Sequence, residues 1–202
     1  MRNDFSLTRR AFLGLSTAAT AAGALPGKLW ALTVGTARAL VVELVGELYD
    51  LINSGLPEAR MYGELEDLLE RYADMPIIAR SVLGVDWRRA SDGQRREFTR
   101  VLQGYISRKY GSHFRELIGG DIEVTGARQG SNYVEVTSTV ILRSEPPVSV
   151  VWHVSDRIGP RVFNLVIGGI NLRTTEAEEI GAMLDRNGGN IDAMIADLRT
   201  AG

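Results

Sequence analysis

The 202-residue sequence contains no cysteine and only two histidines, His113 and His153. Without thiols, no disulfide, thiolate metal site or cysteine nucleophile can form, so packing alone must hold the fold together. The histidines belong to no set with the spacing of metal ligands, and we therefore expect no bound metal and no cofactor. A Gly-x-Ser-x-Gly motif, a phosphate-binding loop and a dinucleotide-binding glycine pattern are also missing from the sequence. These absences argue against most classes of enzyme.

The N-terminus has the pattern of a twin-arginine export signal. Arg9 and Arg10 precede a stretch without charged side chains, rich in alanine, glycine and threonine. Its apolar part, residues 11–25, is shorter than the roughly 20 residues needed to cross a bilayer. Small residues before Leu25 predict cleavage after Ala24. We therefore expect a signal peptide over residues 1–24 and a mature protein in a bacterial periplasm.

The mature chain is expected to have a flexible N-terminus over residues 25–35 and a single domain over residues 36–202. The signal carries three arginines and one aspartate, a net charge of +2, so its removal changes the formal charge from −2 to −4. This mild acidity argues against nucleic acid as a partner and against electrostatic docking on anionic lipid. About 175 residues remain, enough for one substantial hydrophobic core.

Helical periodicity fills the first half of the domain, and the last helix there is the clearest. Ser91 and Gln94 form a capping box that predicts its start, and Gly119-Gly120 predicts its end. Three shorter helices are predicted before it, over residues 36–52, 57–72 and 77–83.

After Gly120 the apolar period changes from about 3.6 residues to 2, which is typical of strands. Short links join the segments, and links of this length connect antiparallel neighbours. We therefore predict an α+β fold in which an antiparallel meander sheet lies between N-terminal and C-terminal helices. Four strands are predicted over residues 121–128, 132–143, 148–156 and 161–167, and two helices over residues 175–184 and 191–198.

The best enzyme-like set in the sequence is His153 with Asp156 and a nearby serine, which leaves a periplasmic hydrolase as an alternative. However, His153 alternates with Trp152 along a predicted strand, so the imidazole is expected to face solvent opposite a packed indole. We therefore expect no catalytic residues. The abundant apolar surface of the strands and helices has two interpretations that composition cannot separate: a filled core, or walls of a pocket for an apolar ligand.

Two blocks of sequence resemble the MlaC family of periplasmic phospholipid-binding proteins, also called toluene-tolerance (Ttg) proteins. The first block runs from Ile78 to Ser91 and contains Leu-Gly-Val-Asp-Trp-Arg-Arg-Ala. The second contains Gly169-Ile170-Asn171-Leu172 and continues through residues 174–184. The resemblance extends over residues 36–199. Three positions depart from the family pattern, which has tryptophan, aspartate and serine where this chain has Pro160, Asn164 and Asn171.

The resemblance implies a non-enzymatic lipid carrier. Such a protein would hold a diacyl phospholipid and shuttle it between an outer-membrane lipoprotein complex and an inner-membrane ABC transporter complex. We expect it to act as a monomer. Relatives linked to hopanoids share the same framework, so a hopanoid or another sterol-like lipid is an alternative cargo.

The acyl chains are expected in an apolar pocket between the sheet and the helices, with the headgroup in water at its mouth. The predicted lining residues on the sheet are Val136, Val140, Val150, Trp152 and Val154. Those predicted on the helices are Leu69, Leu83, Tyr105 and Ile106, and those predicted at the deep end are Leu165, Ile167 and Leu172.

Overall fold

The computed structural model describes residues 32–142 and 145–202, and its fold is α+β as predicted. The predicted signal peptide and cleavage site lie outside these residues, as does most of the predicted flexible N-terminus. The described helices are α1 (Val34–Ile52), α2 (Glu58–Tyr72), α3 (Met75–Leu83), α4 (Asp92–Gly111), α5 (Leu172–Arg186) and α6 (Ile191–Leu198). The strands are β1 (Asp121–Gln129), β2 (Val134–Ile141), β3 (Val148–Asp156), β4 (Pro160–Ile167) and β5 (Ile170–Asn171).

Capping side chains decide where several helices begin. Thr33 and Thr36 form a capping box, so α1 starts two residues before the predicted position at Thr36. Asp74 accepts a hydrogen bond from the amide of Ile77 and caps α3. The capping box of Ser91 and Gln94 at the start of α4 is confirmed.

The prediction that α4 continues to Gly119-Gly120 is wrong, because α4 ends at Gly111 and a short 3₁₀ turn (Phe114–Leu117) follows. Glycine is a poor helix former, which favours termination there. Gly111 also lies against α2: a Cβ atom at this position would stand 2.8 Å from Cδ1 of Tyr62. The glycine therefore permits the close contact between α2 and α4 and weakens the helix at the same point.

The sheet is an antiparallel meander in the order β1-β2-β3-β4-β5. It has five strands where the sequence predicted four. Gly168 and Gly169 both have positive φ angles and turn the chain tightly, so Ile170 pairs with Ile167. Asn171 then caps α5, which begins at Leu172 and not at the predicted Thr175.

Two separate hydrophobic cores are present in the described part of the chain. In the first, α1 and α2 pack on one face of the sheet, which we call the inner face. In the second, α3, α4, α5 and α6 pack on one another. Within the described residues, no helix combines the length and the apolar character that a membrane span requires.

Candidate functional site

The inner face of the sheet brings apolar side chains of β2, β3 and β4 together. Cross-strand pairing places Val136 beside Trp152, and Trp152 beside Leu165. Four of the predicted lining residues, Val136, Val150, Trp152 and Val154, are buried here, and three more are partly buried against them. These three are Val140, Leu165 and Ile167.

The predicted helical lining residues do not meet this face. Leu83 and Tyr105 are buried in the second core, and Leu69 of α2 and Ile106 of α4 are partly buried against it. The prediction that they oppose the sheet is therefore wrong. Leu172 is half-buried at the start of α5 and belongs to neither core. Helical periodicity shows that a helix has an apolar face, but not which element that face will contact.

The helix that covers the inner face is α1, which the sequence analysis did not include in the site. Its buried stripe packs on the sheet together with the buried face of α2. The regular apolar spacing of α1 was a signal for this role, although it named no partner. The buried residues of the two helices are Ala37, Val41, Leu44, Val45, Leu51 and Ile52 in α1, and Met61, Leu65, Leu68 and Tyr72 in α2.

Polar contacts at the surface hold α1 in place. Glu47 on α1 forms an ion pair with Arg71 on α2 and accepts a hydrogen bond from the hydroxyl of Tyr72 at 2.6 Å. At the sheet, Nη2 of Arg38 donates to the carbonyl of Val124 at 3.3 Å. The ion pair is exposed, and such pairs contribute about 0–1 kcal/mol. The apolar contacts of α1 therefore contribute most of its attachment to the sheet.

Burial along the inner face decreases from one end of the sheet to the other. Val134, Val136 and Val154, near the turn that joins β1 to β2, are fully buried. At the opposite end, four apolar side chains are only half-buried, and we call this group the open rim. The open rim consists of Ile122, Val140, Val148 and Ile167, which lie on neighbouring strands and face the same way.

One polar pair lies inside the apolar layer. Nε1 of Trp152 donates a hydrogen bond to Oγ of Ser138 at 2.9 Å, and both side chains are buried. A buried indole N–H without an acceptor would cost about 1–3 kcal/mol, so Ser138 fixes the orientation of the ring. The ring presents its apolar surface to the layer between the sheet and α1.

Two grooves lie on the surface of the described residues. One, of about 290 Å³, runs between α1 and α2, with Leu51 and Leu68 among the residues that line it and with Glu47, Asp50 and Arg71 beside them. The second, of about 300 Å³, is lined by residues of α3, of the 3₁₀ turn Gly84–Arg88 and by Arg157.

His153 lies on the outer face of the sheet, as expected, but it is packed as well as partly exposed. Its ring is 4.8 Å from the ring of Tyr133 and 5.8 Å from that of Phe163. Nδ1 is 3.2 Å from the side-chain nitrogen of Asn164, which replaces the aspartate of the family pattern. No hydrogen bond between His153 and Asp156 occurs within the described residues, where the side chain of Asn164 is the hydrogen-bond partner of His153.

The environment of His153 predicts a pH-dependent stability. Burial lowers the pKa of His153, nearby Arg173 and Arg128 lower it further, and Glu135 opposes them. A histidine whose pKa is lower in the folded state opposes folding when it is protonated. Above about pH 6.5, the pKa of a histidine in the unfolded chain, His153 should therefore cause no loss of stability. As the pH falls from this value towards the pKa of the folded protein, the free energy of unfolding should decrease.

Urea denaturation at a series of pH values checks this prediction. His153→Gln should flatten the dependence below about pH 6.5, because the titrating group is removed. His113→Gln is the comparison variant, since it replaces the other histidine of the sequence, at an exposed position. A wild-type slope that persists in His153→Gln would contradict the assignment.

Comparisons with known proteins agree with this architecture. A family model described as MlaC protein matches residues 43–200. No curated protein matches the chain by sequence. Seven solved chains match it in structure. One is a phospholipid-binding protein from Ralstonia solanacearum, solved in complex with a phospholipid. The two chains are 21% identical with a TM-score of 0.66, and the match covers 80% of this chain and 98% of the other.

Proposed function

This chain belongs to the MlaC family, and on that premise we propose that it is a periplasmic carrier that binds a diacyl phospholipid against the inner face of the sheet. The solved phospholipid-binding protein of the same fold supports this proposal. The observation that carries it is the decrease in burial along the inner face, which ends at the open rim. Four adjacent half-buried apolar side chains form a contiguous patch at one edge of the core, and contiguous patches of this kind often mark the groove of an apolar ligand.

A carrier of this kind needs an apolar environment and no reacting group. Exposing one methylene to water costs roughly 0.8 kcal/mol, so two acyl chains with about 30 methylenes would cost of order 20 kcal/mol to move through water uncovered. Transfer from a bilayer into an apolar protein layer replaces one such environment with another. The free energy of transfer can then lie near zero, which allows both loading and release.

The acyl chains enter over the open rim and lie between the sheet and α1. The centre of this layer is filled by side chains of α1 and α2, so loading requires these helices to move away from the sheet. The pair of Glu47 and Arg71 joins α1 to α2 and can stay intact as the two helices move together, so the movement exchanges mainly their apolar contacts with the sheet for contacts with the acyl chains. The headgroup stays at the rim, in contact with water.

Family membership and the N-terminal sequence support the remaining parts of the proposal. The chain is exported by the twin-arginine route and acts as a monomer. It exchanges lipid with an outer-membrane lipoprotein complex and an inner-membrane ABC transporter complex, and it catalyses no reaction.

Identification of the bound molecule tests the proposal. The protein is expressed from its full sequence, recovered from the periplasm and purified without detergent, and its ligand is extracted with organic solvent and identified by mass spectrometry. We expect close to one diacyl phospholipid per protein. A hopanoid in its place would support the alternative cargo, and protein free of any lipid would contradict the carrier proposal.

A further inference from the structure

The second groove combines positive charge with exposed apolar side chains. Arg80 on α3, Arg88 in the 3₁₀ turn and Arg157 in the turn between β3 and β4 all line it, with Trp87 between them. None of these three arginines forms an ion pair with a carboxylate of the described residues. We call the three arginines with Trp87 the arginine groove.

Tertiary structure brings these residues together from distant parts of the sequence. The amide of Asp74, at the start of α3, donates to the carbonyl of Val162 at 2.8 Å. Ala73 also forms a bridge with Val162, and the two contacts fix α3 beside the start of β4. Arg157, in the turn just before β4, is thereby placed against α3. The groove is a product of the fold and not of a local run of arginines.

The acidic residues near the groove do not neutralise it. Asp86, in the same 3₁₀ turn, is paired with Arg89 at 2.5 Å. Asp92 is paired with Arg95, whose guanidinium lies 5.7 Å from the centre of the Trp87 ring. Among the residues that the structure describes, no carboxylate lines the groove. Asp156 precedes Arg157 in sequence, but one aspartate cannot balance three arginines, so the net charge at the groove stays positive.

Two aliphatic side chains project beside the arginine groove. Val85 adjoins it in the 3₁₀ turn and is 76% exposed, and Ile158 follows Arg157 and is 65% exposed. These are the two most exposed of the large apolar side chains in the described residues. Apolar side chains next to arginines and a tryptophan suit the boundary between headgroups and acyl chains in a bilayer.

We propose that the arginine groove, with Val85 and Ile158, docks the protein on the surface of an anionic phospholipid bilayer. The arginines bind headgroup phosphates, and the two aliphatic side chains enter the interface. A free phosphate ion would gain nothing from Val85 and Ile158, and their exposure therefore favours a bilayer. The negative net charge of the protein opposes such docking. However, electrostatic interactions with the bilayer fall off within a Debye length, so the arginines nearest the membrane determine whether the protein binds. The inference goes beyond lipid carriage, since a protein can hold lipid without touching a bilayer.

Sedimentation with vesicles tests the docking surface. The protein recovered from the periplasm is mixed with vesicles of phosphatidylethanolamine and phosphatidylglycerol, and in parallel with vesicles of phosphatidylcholine alone. We expect binding to the anionic vesicles only, and its loss between about 0.1 M and about 1 M salt, as the Debye length shortens from about 10 Å to about 3 Å. Equal binding to both vesicle types would overturn the proposal, as would no binding to either.

Charge reversal of the groove separates it from the rest of the surface. The combined variant Arg80→Glu, Arg88→Glu and Arg157→Glu should bind anionic vesicles on the order of 100-fold more weakly. The matched control is Arg60→Glu, an exposed residue in the first turn of α2 without an ion pair among the described residues, which should change binding less than about tenfold.

A second variant tests the apolar part of the surface without changing charge. Val85→Ser combined with Ile158→Ser should weaken vesicle binding by about tenfold or more, because both side chains lose their apolar contact with the interface. Unchanged binding in this variant or in the charge-reversed one would overturn the proposal. Vesicle binding is measured independently of copurified lipid, so the docking surface and the carrier function fail or succeed separately.

Discussion

Val140→Glu is expected to abolish the copurification of phospholipid while the protein stays folded. Val140 belongs to the open rim and is half-buried, so a glutamate there can reach water without disrupting the packed centre of the layer. Acyl chains passing over the rim would contact an ionised carboxylate, and placing such a group in a hydrocarbon environment costs several kcal/mol. We expect the lipid content, measured by solvent extraction and mass spectrometry, to fall on the order of 100-fold.

Ser149→Glu is the control for Val140→Glu. Ser149 is exposed on the outer face of the neighbouring strand, so the same side chain is introduced on the other side of the sheet. This variant should retain its lipid. Glutamate at Val136 or Val150 would test folding and not lipid entry, because these side chains are buried and the variant would unfold. Full lipid content in folded Val140→Glu would exclude the open rim as the entrance.

Lys109→Met is expected to destabilise the protein by about 3 kcal/mol. Nζ of Lys109 lies 2.8 Å from Oε1 of Glu176 and 2.7 Å from Oε2 of Glu179, which ties α4 to α5. Glu176 is only 3% exposed, and its Oε2 has no hydrogen-bond partner among the described residues. Removal of the lysine would leave this buried carboxylate with the hydroxyl of Tyr110 as its remaining partner. Chemical denaturation measures the loss.

Two further variants show whether the buried charge causes this loss. Arg100→Met removes an exposed ion pair with Glu97 and should lower the free energy of unfolding much less than Lys109→Met does. Adding Glu176→Gln to Lys109→Met should recover part of the stability, because no charge then remains buried. If Lys109→Met costs no more than Arg100→Met, the network contributes little. Tyr105 belongs to the same network: its hydroxyl donates to Glu179, and burial raises its pKa to about 12.

Local patterns in the sequence predicted most elements of the fold. The capping box of Ser91 and Gln94, the strand at residues 148–156 and the helix at residues 191–198 are placed as the sequence predicted. The errors lie where a second feature outweighed the local signal or where the element was too short to produce one. Gly119-Gly120 was interpreted as the end of α4, although Gly111 ends it against Tyr62 of α2. The two-residue strand β5 was too short to produce an alternating pattern.

The candidate site was predicted only in part, for the same reason. The alternation along β2 and β3 was sufficient to identify the apolar face, since side-chain direction in a regular strand follows directly from position. In β4 a register shift opposite His153 and Val154 breaks the alternation, so Val162 faces the same way as Leu165 and Ile167. The helical partners of that face were not predictable in this way. Leu69, Leu83, Tyr105 and Ile106 have suitable apolar spacing, yet they pack in the second core. The apolar face of each of these helices could have packed on the sheet or on another helix, and the spacing of its apolar residues does not distinguish between the two.

The sequence by itself determined the α+β class, the identity of the sheet's apolar face and the likeness to a lipid-binding family, because each depends on local periodicity or on contiguous motifs. Only the tertiary structure decided that α1 covers that face, that the open rim lies at one end of the sheet, and that Arg157 joins Arg80 and Arg88 in one groove. These features depend on contacts between residues far apart in the chain. Such contacts arise from the packing of whole helices and strands, which no local pattern specifies.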